Sequence, residues 1–197
     1  MAKASSLPPQ LQAVLDGLSP SLYEHIQNVR VIASDLADGH GLDRDRVDLA
    51  AAAHDIARAD SDDVLMREAM EQGVRITDAD RAKPLLLHGP VGANRLRAKL
   101  PAADEAVIEA VYWHTTGLAT MGPIAKAVFL ADKFDLAKAS RYPHIGRVRE
   151  LAADDMDRAI VEFLRGDLVR LLNEGVPVHP ASLETLNGLL LSLGGGV

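Results

Sequence analysis

The chain has 197 residues, enough for one domain with a substantial core, and its 28 acidic and 21 basic residues give a net charge of −7. The absence of cysteine excludes disulfides, thiolate metal sites and cysteine nucleophiles, so any metal must be held by nitrogen and oxygen. Basic residues scattered among acids exclude the clustered face that a nucleic-acid polymer needs, and apolar content dominated by Ala, Leu and Val favours helices over sheet.

The first residues, Met1 to Leu15, lack an uninterrupted apolar run of signal-peptide type, and no window approaches a membrane span. The expectation is a cytoplasmic protein with no membrane partner. Residues 1–18 read as an N-terminal extension, helical in part, and 19–193 as one domain. Ser19-Pro20 reads as a cap followed by proline at the first helical position. Leu22, His25, Ile26, Val29, Ile32, Ala33 and Leu36 then recur at helical spacing, predicting a helix over about 20 to 38. Asp43 caps the next, whose run Ala50 to Ala53 permits close helix approach and leads to His54-Asp55. A third helix starts at Ser61 and closes at Gly73, and Asp78 to Pro84 forms a short turn.

His88 is expected just before a helix started by Pro90 and running to about Lys99, and Asp104 to Trp113 is expected to be helical up to His114. Pro123 opens another helix with Ile124, Ala127, Val128 and Ala131 inward. One long helix over about 145 to 173 and a last over about 181 to 193 complete an all-α fold with no strand pattern.

A polar group on an apolar stripe costs free energy unless something compensates it. His25 lies in the stripe of its helix, and Asp132 stands four residues after Val128 and eight after Ile124, on the same inward face. His114 follows Val107 by seven, and His54-Asp55 end an alanine-rich helix. Singly, each suits a hydrogen-bonded core residue, and Asp132 could pair with Lys133 or Lys126, though neither lies on its own helix face. Jointly, His25, His54, Asp55, His88, His114 and Asp132 compose a mixed imidazole and carboxylate set suited to Fe, Mn, Co or Zn, and two metals bridged by Asp55 would use all six. His40, between two glycines, reads as exposed; His144 and His179 read as loop and turn residues outside the site, and Trp113, which could stack a purine, reads rather as core packing.

These residues carry a resemblance. The spaced set His25, His54-Asp55 and Asp132 resembles the HD superfamily of metal-dependent phosphohydrolases. Tyr23 to His25, His54 to Arg58, Leu87 to Ala93, Trp113 to Gly117, Leu130 to Asp132, Gly175 to Pro180, Ser182 to Glu184 and Asn187 are similar to the YqeK-like symmetrical bis(5'-nucleosyl)-tetraphosphatases. The resemblance implies a single-domain HD-type helical bundle, a centre of two Fe with Mn, Co or Zn as substitutes, and symmetrical hydrolysis of diadenosine tetraphosphate to two ADP by a metal-activated hydroxide. It assigns one metal to His25, His54, Asp55 and Asp132, a second to the neighbourhood of His88 and His114, and the catalytic roles to His54, Asp55, His88 and His114.

Physical reasoning adds substrate contacts: Gly89 at a helix start, the hydroxyls of Thr115 and Thr116, and the cations Arg58, Lys133, Lys138 and Arg141. After Asp132 the sequence Lys133 to Lys138 departs from the family's tyrosine-isoleucine-glutamate-proline, Arg58 stands for lysine, and Leu186 for arginine. Another nucleotide substrate, or a non-catalytic nucleotide-binding module, therefore stays open, as does pairing into a homodimer.

Overall fold

The computed structural model describes residues 6–135 and 142–194. Lys138 and Arg141 lie outside them. Among the described residues there are helices and no strand: α1 (Pro9–Leu15), α2 (Pro20–His40), α3 (Arg44–Ala53), α4 (Asp62–Glu71), α5 (Asp78–Ala82), a 3-10 turn (Pro84–Leu87), α6 (His88–Lys99), α7 (Glu105–Trp113), α8 (Pro123–Phe134), α9 (Ile145–Asp154), α10 (Met156–Asn173) and α11 (Pro180–Gly194).

The starts follow local chemistry. The Ser19, Asp43, Ser61, Thr77, Asp104 and Asp155 side chains each accept a hydrogen bond from a backbone N–H of the first turn, satisfying donors that a helix otherwise leaves open. Helix α8 is the centre of the bundle. From Ile124 to Phe134 every residue but Lys126 is buried, Asp132 and Lys133 included, and α2, α3, α7 and α10 pack around the helix. Ala50 to Ala53 are fully buried, and their small side chains let α3 lie close against α2. Leu11 and Leu15 of α1 enter the same core. A smaller cluster of Ala57, Leu65, Ala69, Leu87 and Val91 fixes α4 against the 3-10 turn. No described helix is long and apolar enough to cross a membrane.

Two expectations are corrected. The single helix over 145 to 173 is two, α9 and α10, because Asp155 leaves helical geometry (φ −149°, ψ 101°), ends α9 and caps α10. The helix after the 3-10 turn begins at His88 itself, with Pro90 inside its first turn, where the missing N–H has no intrahelical partner to lose.

Candidate metal centre and its cleft

Four histidines reach the middle of the bundle from different elements. His54 and His114 are the C-terminal cap residues of α3 and α7, and His88 follows the 3-10 turn. Each uses Nδ1 to donate to the carbonyl three residues back: His54 to Ala51 at 2.7 Å, His88 to Leu85 at 2.5 Å, His114 to Val111 at 2.8 Å. Helix ends leave such carbonyls without partners, so the histidine satisfies one and is oriented by it. With the proton on Nδ1, the Nε2 lone pair points into the site.

Those lone pairs converge. His88 Nε2 and His114 Nε2 are 2.9 Å apart and stand 3.0 and 3.4 Å from Asp55 Oδ1. On the other side, Asp55 Oδ2 lies 3.3 Å from His25 Nε2 and 3.4 Å from His54 Nε2, while Asp132 Oδ1 lies 3.1 and 3.7 Å from the same nitrogens. The six expected residues therefore form two donor sets, His25, His54, Asp55 and Asp132, and Asp55, His88 and His114, joined by Asp55.

The arrangement fits cations. Asp55 is fully buried, yet neither carboxylate oxygen has an aligned hydrogen-bond donor. Ring nitrogens lie near it, but as attracting charge and lone pairs rather than as donors pointed at oxygen. An orphaned buried carboxylate is costly unless a cation occupies the space before it, and two neutral imidazoles facing lone pair to lone pair carry the same requirement. Imidazole and carboxylate without thiolate suit Fe, Mn, Co or Zn.

Electrostatics divides the histidines. Burial depresses His114 to a pKa of about 3, with repulsion from His88 and His54 adding and Asp55 opposing only in part. Burial also opposes charge on His54, but Asp55 and Asp132 outweigh it and raise its pKa. Burial works against the Asp55 carboxylate, and the surrounding imidazoles, His54 foremost, overcome it and hold the pKa well below the ordinary value.

His25 differs from the other three. Its Nδ1 meets a carboxylate, Asp135 Oδ2, at 2.5 Å, and Asp135 is buried. Sequence reasoning missed this residue; its spacing of three from Asp132 at the end of α8 was the available signal. Of the two cations weighed as partners for Asp132, Lys133 is the one that pairs: it is buried, with Nζ 2.7 Å from Asp132 Oδ2 and 3.1 Å from the His114 carbonyl. Lys126, the other cation considered for Asp132, pairs with Asp157.

The centre floors a cleft of about 320 Å³ lined by Arg58, Lys83, Thr115, Lys133, Tyr142, Phe163, Asp167, Arg170 and Ser182 together with His88, His114 and Asp132. Arg58 Nε is 3.5 Å from Asp55 Oδ2, and Thr115 Oγ1 is 3.2 Å from His114 Nε2. Of the expected substrate contacts, Arg58, Thr115 and Lys133 line this space. Gly89 does not: it is buried, and a Cβ there would meet the Tyr112 carbonyl at 2.7 Å, so glycine allows α6 to approach α7. Thr116 lines a neighbouring pocket instead. Tyr142, Phe163, Asp167 and Arg170 were unforeseen, since α10 brings three of them from distant sequence. The other histidines are structural, and His40 is tied rather than free, its Nε2 donating to the Ala152 carbonyl at 2.7 Å. His144 reaches the Phe163 carbonyl, and His179 lies beside Asp80.

An all-helical bundle with an H…HD…D set at its centre is the signature of one protein class. The chain belongs to the HD-domain family, which it matches over residues 22–137. Among proteins of stated activity it is similar to the symmetrical bis(5'-nucleosyl)-tetraphosphatase of Halalkalibacterium halodurans, 35% identical over 184 residues that cover 92% of this chain and 95% of that one. The enzyme of the same name from Bacillus subtilis is 29% identical over 91% and 95% of the two chains. A crystal structure of a predicted HD superfamily hydrolase from Clostridium acetobutylicum shares the fold, with a TM-score of 0.85 at 22% identity over 93% of this chain and 96% of that one.

Proposed function

We propose that the chain is a metal-dependent hydrolase that splits diadenosine tetraphosphate symmetrically into two ADP in the cytoplasm. The observation that carries this reading is the pair of donor sets sharing Asp55 at the floor of a cleft lined by Arg58, Lys83, Lys133 and Arg170. The names of the Halalkalibacterium and Bacillus relatives, which align with nearly the whole chain, support the substrate.

His25, His54, Asp55 and Asp132 would hold one cation, and Asp55, His88 and His114 the other; two Fe are the assignment, with Mn, Co or Zn as substitutes. When bound, such a pair supplies Lewis-acid activation of water and of the attacked phosphoryl group. The chain's own residues do the rest. His114 stays neutral through the working pH range, so its lone pair remains available. Asp135 orients His25. Arg58, Lys83, Lys133 and Arg170 set cations along the cleft for a polyphosphate, Lys133 from its pair with Asp132 and Arg170 from its pairs with Asp167 and Glu174. The Thr115 hydroxyl offers a donor beside His114. Both carboxylate oxygens of Asp55 face the donor sets, so the residue is expected to be a ligand.

The test incubates metal-loaded protein with diadenosine tetraphosphate and a panel of other nucleotides, resolving products by ion exchange. ADP as sole product, lost in His54→Ala and Asp55→Ala, is the expected result. Asymmetrical products, or no turnover with metal bound, would overturn the assignment.

A further inference from the structure

Behind the wall that carries His88 and His114 lies a second pocket, of about 160 Å³, lined by residues on both sides of those histidines: Leu86, Leu87 and Pro90, then Tyr112, Trp113 and Thr116. Its rim is closed by His179, Pro180 and Ala181 at the start of α11, a segment with no part in the metal centre. Engineered cavities of about this size take one aromatic ring. The walls are mostly apolar; of the charged residues among them Arg75 and Glu184 are exposed, and one is buried.

That charge is Asp80, 3% exposed. All its hydrogen bonds fall on one oxygen: Oδ2 accepts from the Thr77 N–H at 2.8 Å and the Thr77 hydroxyl at 2.6 Å, and His179 Nε2 stands 3.4 Å away. His179 Nδ1 accepts from the Ala181 N–H, which places the ring proton on Nε2, toward Asp80. Oδ1 has no partner among the described residues. A carboxylate fixed by three groups on one oxygen and open on the other is a preorganised acceptor, and an unmet acceptor lining a pocket is a recognition element.

We infer that this pocket takes a purine base, its amino group donating to Asp80 Oδ1 and its ring lying against Trp113. A cation is the wrong occupant, because Asp80, His179 and Glu184, which all line the pocket, do not converge as a donor set in the way the six residues of the metal centre do. A flat π-face with an in-plane N–H donor matches both features, and aromatic side chains hold bases by stacking. The choice of adenine rests on the proposed reaction; the acceptor and its walls do not. Leu86 lines both this pocket and the metal cleft, so the two spaces adjoin across one side chain.

Trp113 is the only tryptophan, so binding can be read without turnover. Metal-loaded protein is titrated with adenosine, ADP and uridine while its fluorescence is followed. Saturable quenching by adenosine and ADP, not by uridine, is expected. Asp80→Asn, which loses the charge and keeps the shape, should weaken it at least about tenfold. Val74→Phe, which fills the pocket from its loop side, should abolish it, and thermal melts of both variants establish that they are folded. No quenching by adenosine or ADP in the wild type, or quenching untouched by both variants, overturns the site. Quenching lost in the variants upholds it even if diadenosine tetraphosphate is not hydrolysed; that outcome would reject the assigned reaction alone.

Discussion

At the scale of single residues, Asp55 and Asp135 separate two ways of serving a metal. Asp55 presents one oxygen to each donor set, so Asp55→Ala should lower the bound metal from two equivalents to one or fewer by mass spectrometry and abolish turnover. Unchanged stoichiometry would remove its bridging role. Asp135 meets the far nitrogen of the His25 ring. Asparagine there can still accept from Nδ1–H but carries no charge, so Asp135→Asn should weaken metal binding about 10- to 100-fold while preserving the fold, in line with other outer carboxylates on ligating imidazoles. Competition with a chelator measures this directly, and an unaltered affinity would reduce Asp135 to a packing residue. That these six side chains gather in one cluster was legible in the sequence, because polar groups stood on apolar helical stripes and matched a known spacing. The part played by Asp135 was not, since a carboxylate at a helix end looks like solvated surface until burial is known.

Among elements, the approach of α6 to α7 controls the second donor set. Gly89→Ala would push a methyl group to 2.7 Å from the Tyr112 carbonyl. Relief requires moving one helix, and with it His88 relative to His114. We expect a loss of about 1–3 kcal/mol in urea unfolding and a selective loss of one metal equivalent. A stable variant with both metals would show that the two helices slide freely. Gly117, at φ 80° and with a Cβ position 2.9 Å from Thr185 Oγ1, anchors the turn after His114 in the same way. Helix starts were readable from Ser19, Asp43, Ser61 and Pro123, whose capping chemistry is local. The break at Asp155 was hidden because Leu151, Ala152, Ala159 and Ile160 keep the helical period across it. Only the extended backbone of one residue, ending α9 and capping α10, interrupts the run. Asp155→Ala should cost about 1 kcal/mol through the lost cap, measurable as a shift in the urea midpoint.

For the molecule as a whole, the buried cluster links stability to pH and to metal. The unfolded chain protonates His114 near 6.5, whereas the folded chain does not until about pH 3. This group's contribution is therefore complete above pH 6.5 and drains as pH falls toward 3. His54, with its pKa raised, has the opposite sign: its contribution is present below 6.5 and is lost as pH rises through its folded value. Metal-free protein in which His114 is replaced by Asn should lose less stability between pH 6.5 and 4 than the wild type, as read by urea midpoints. A steeper loss would contradict a neutral His114. Metal should raise Tm in proportion to the logarithm of its free concentration, because only the folded chain assembles the donors. The all-helical class was plain from composition, yet the cleft above the metals was not, because α10 contributes Phe163, Asp167 and Arg170 through packing alone.

Three of the four histidines both close a helix end and face the centre, and this limits how the chain can change in length. One residue inserted within α3 or α7 would turn everything beyond it by about 100°, swinging His54 or His114 away from Asp55 and leaving the last carbonyls bare. Homologues should therefore hold the lengths of these two helices fixed and take their insertions and deletions elsewhere, as at the exposed Pro101 and Ala102 between α6 and α7.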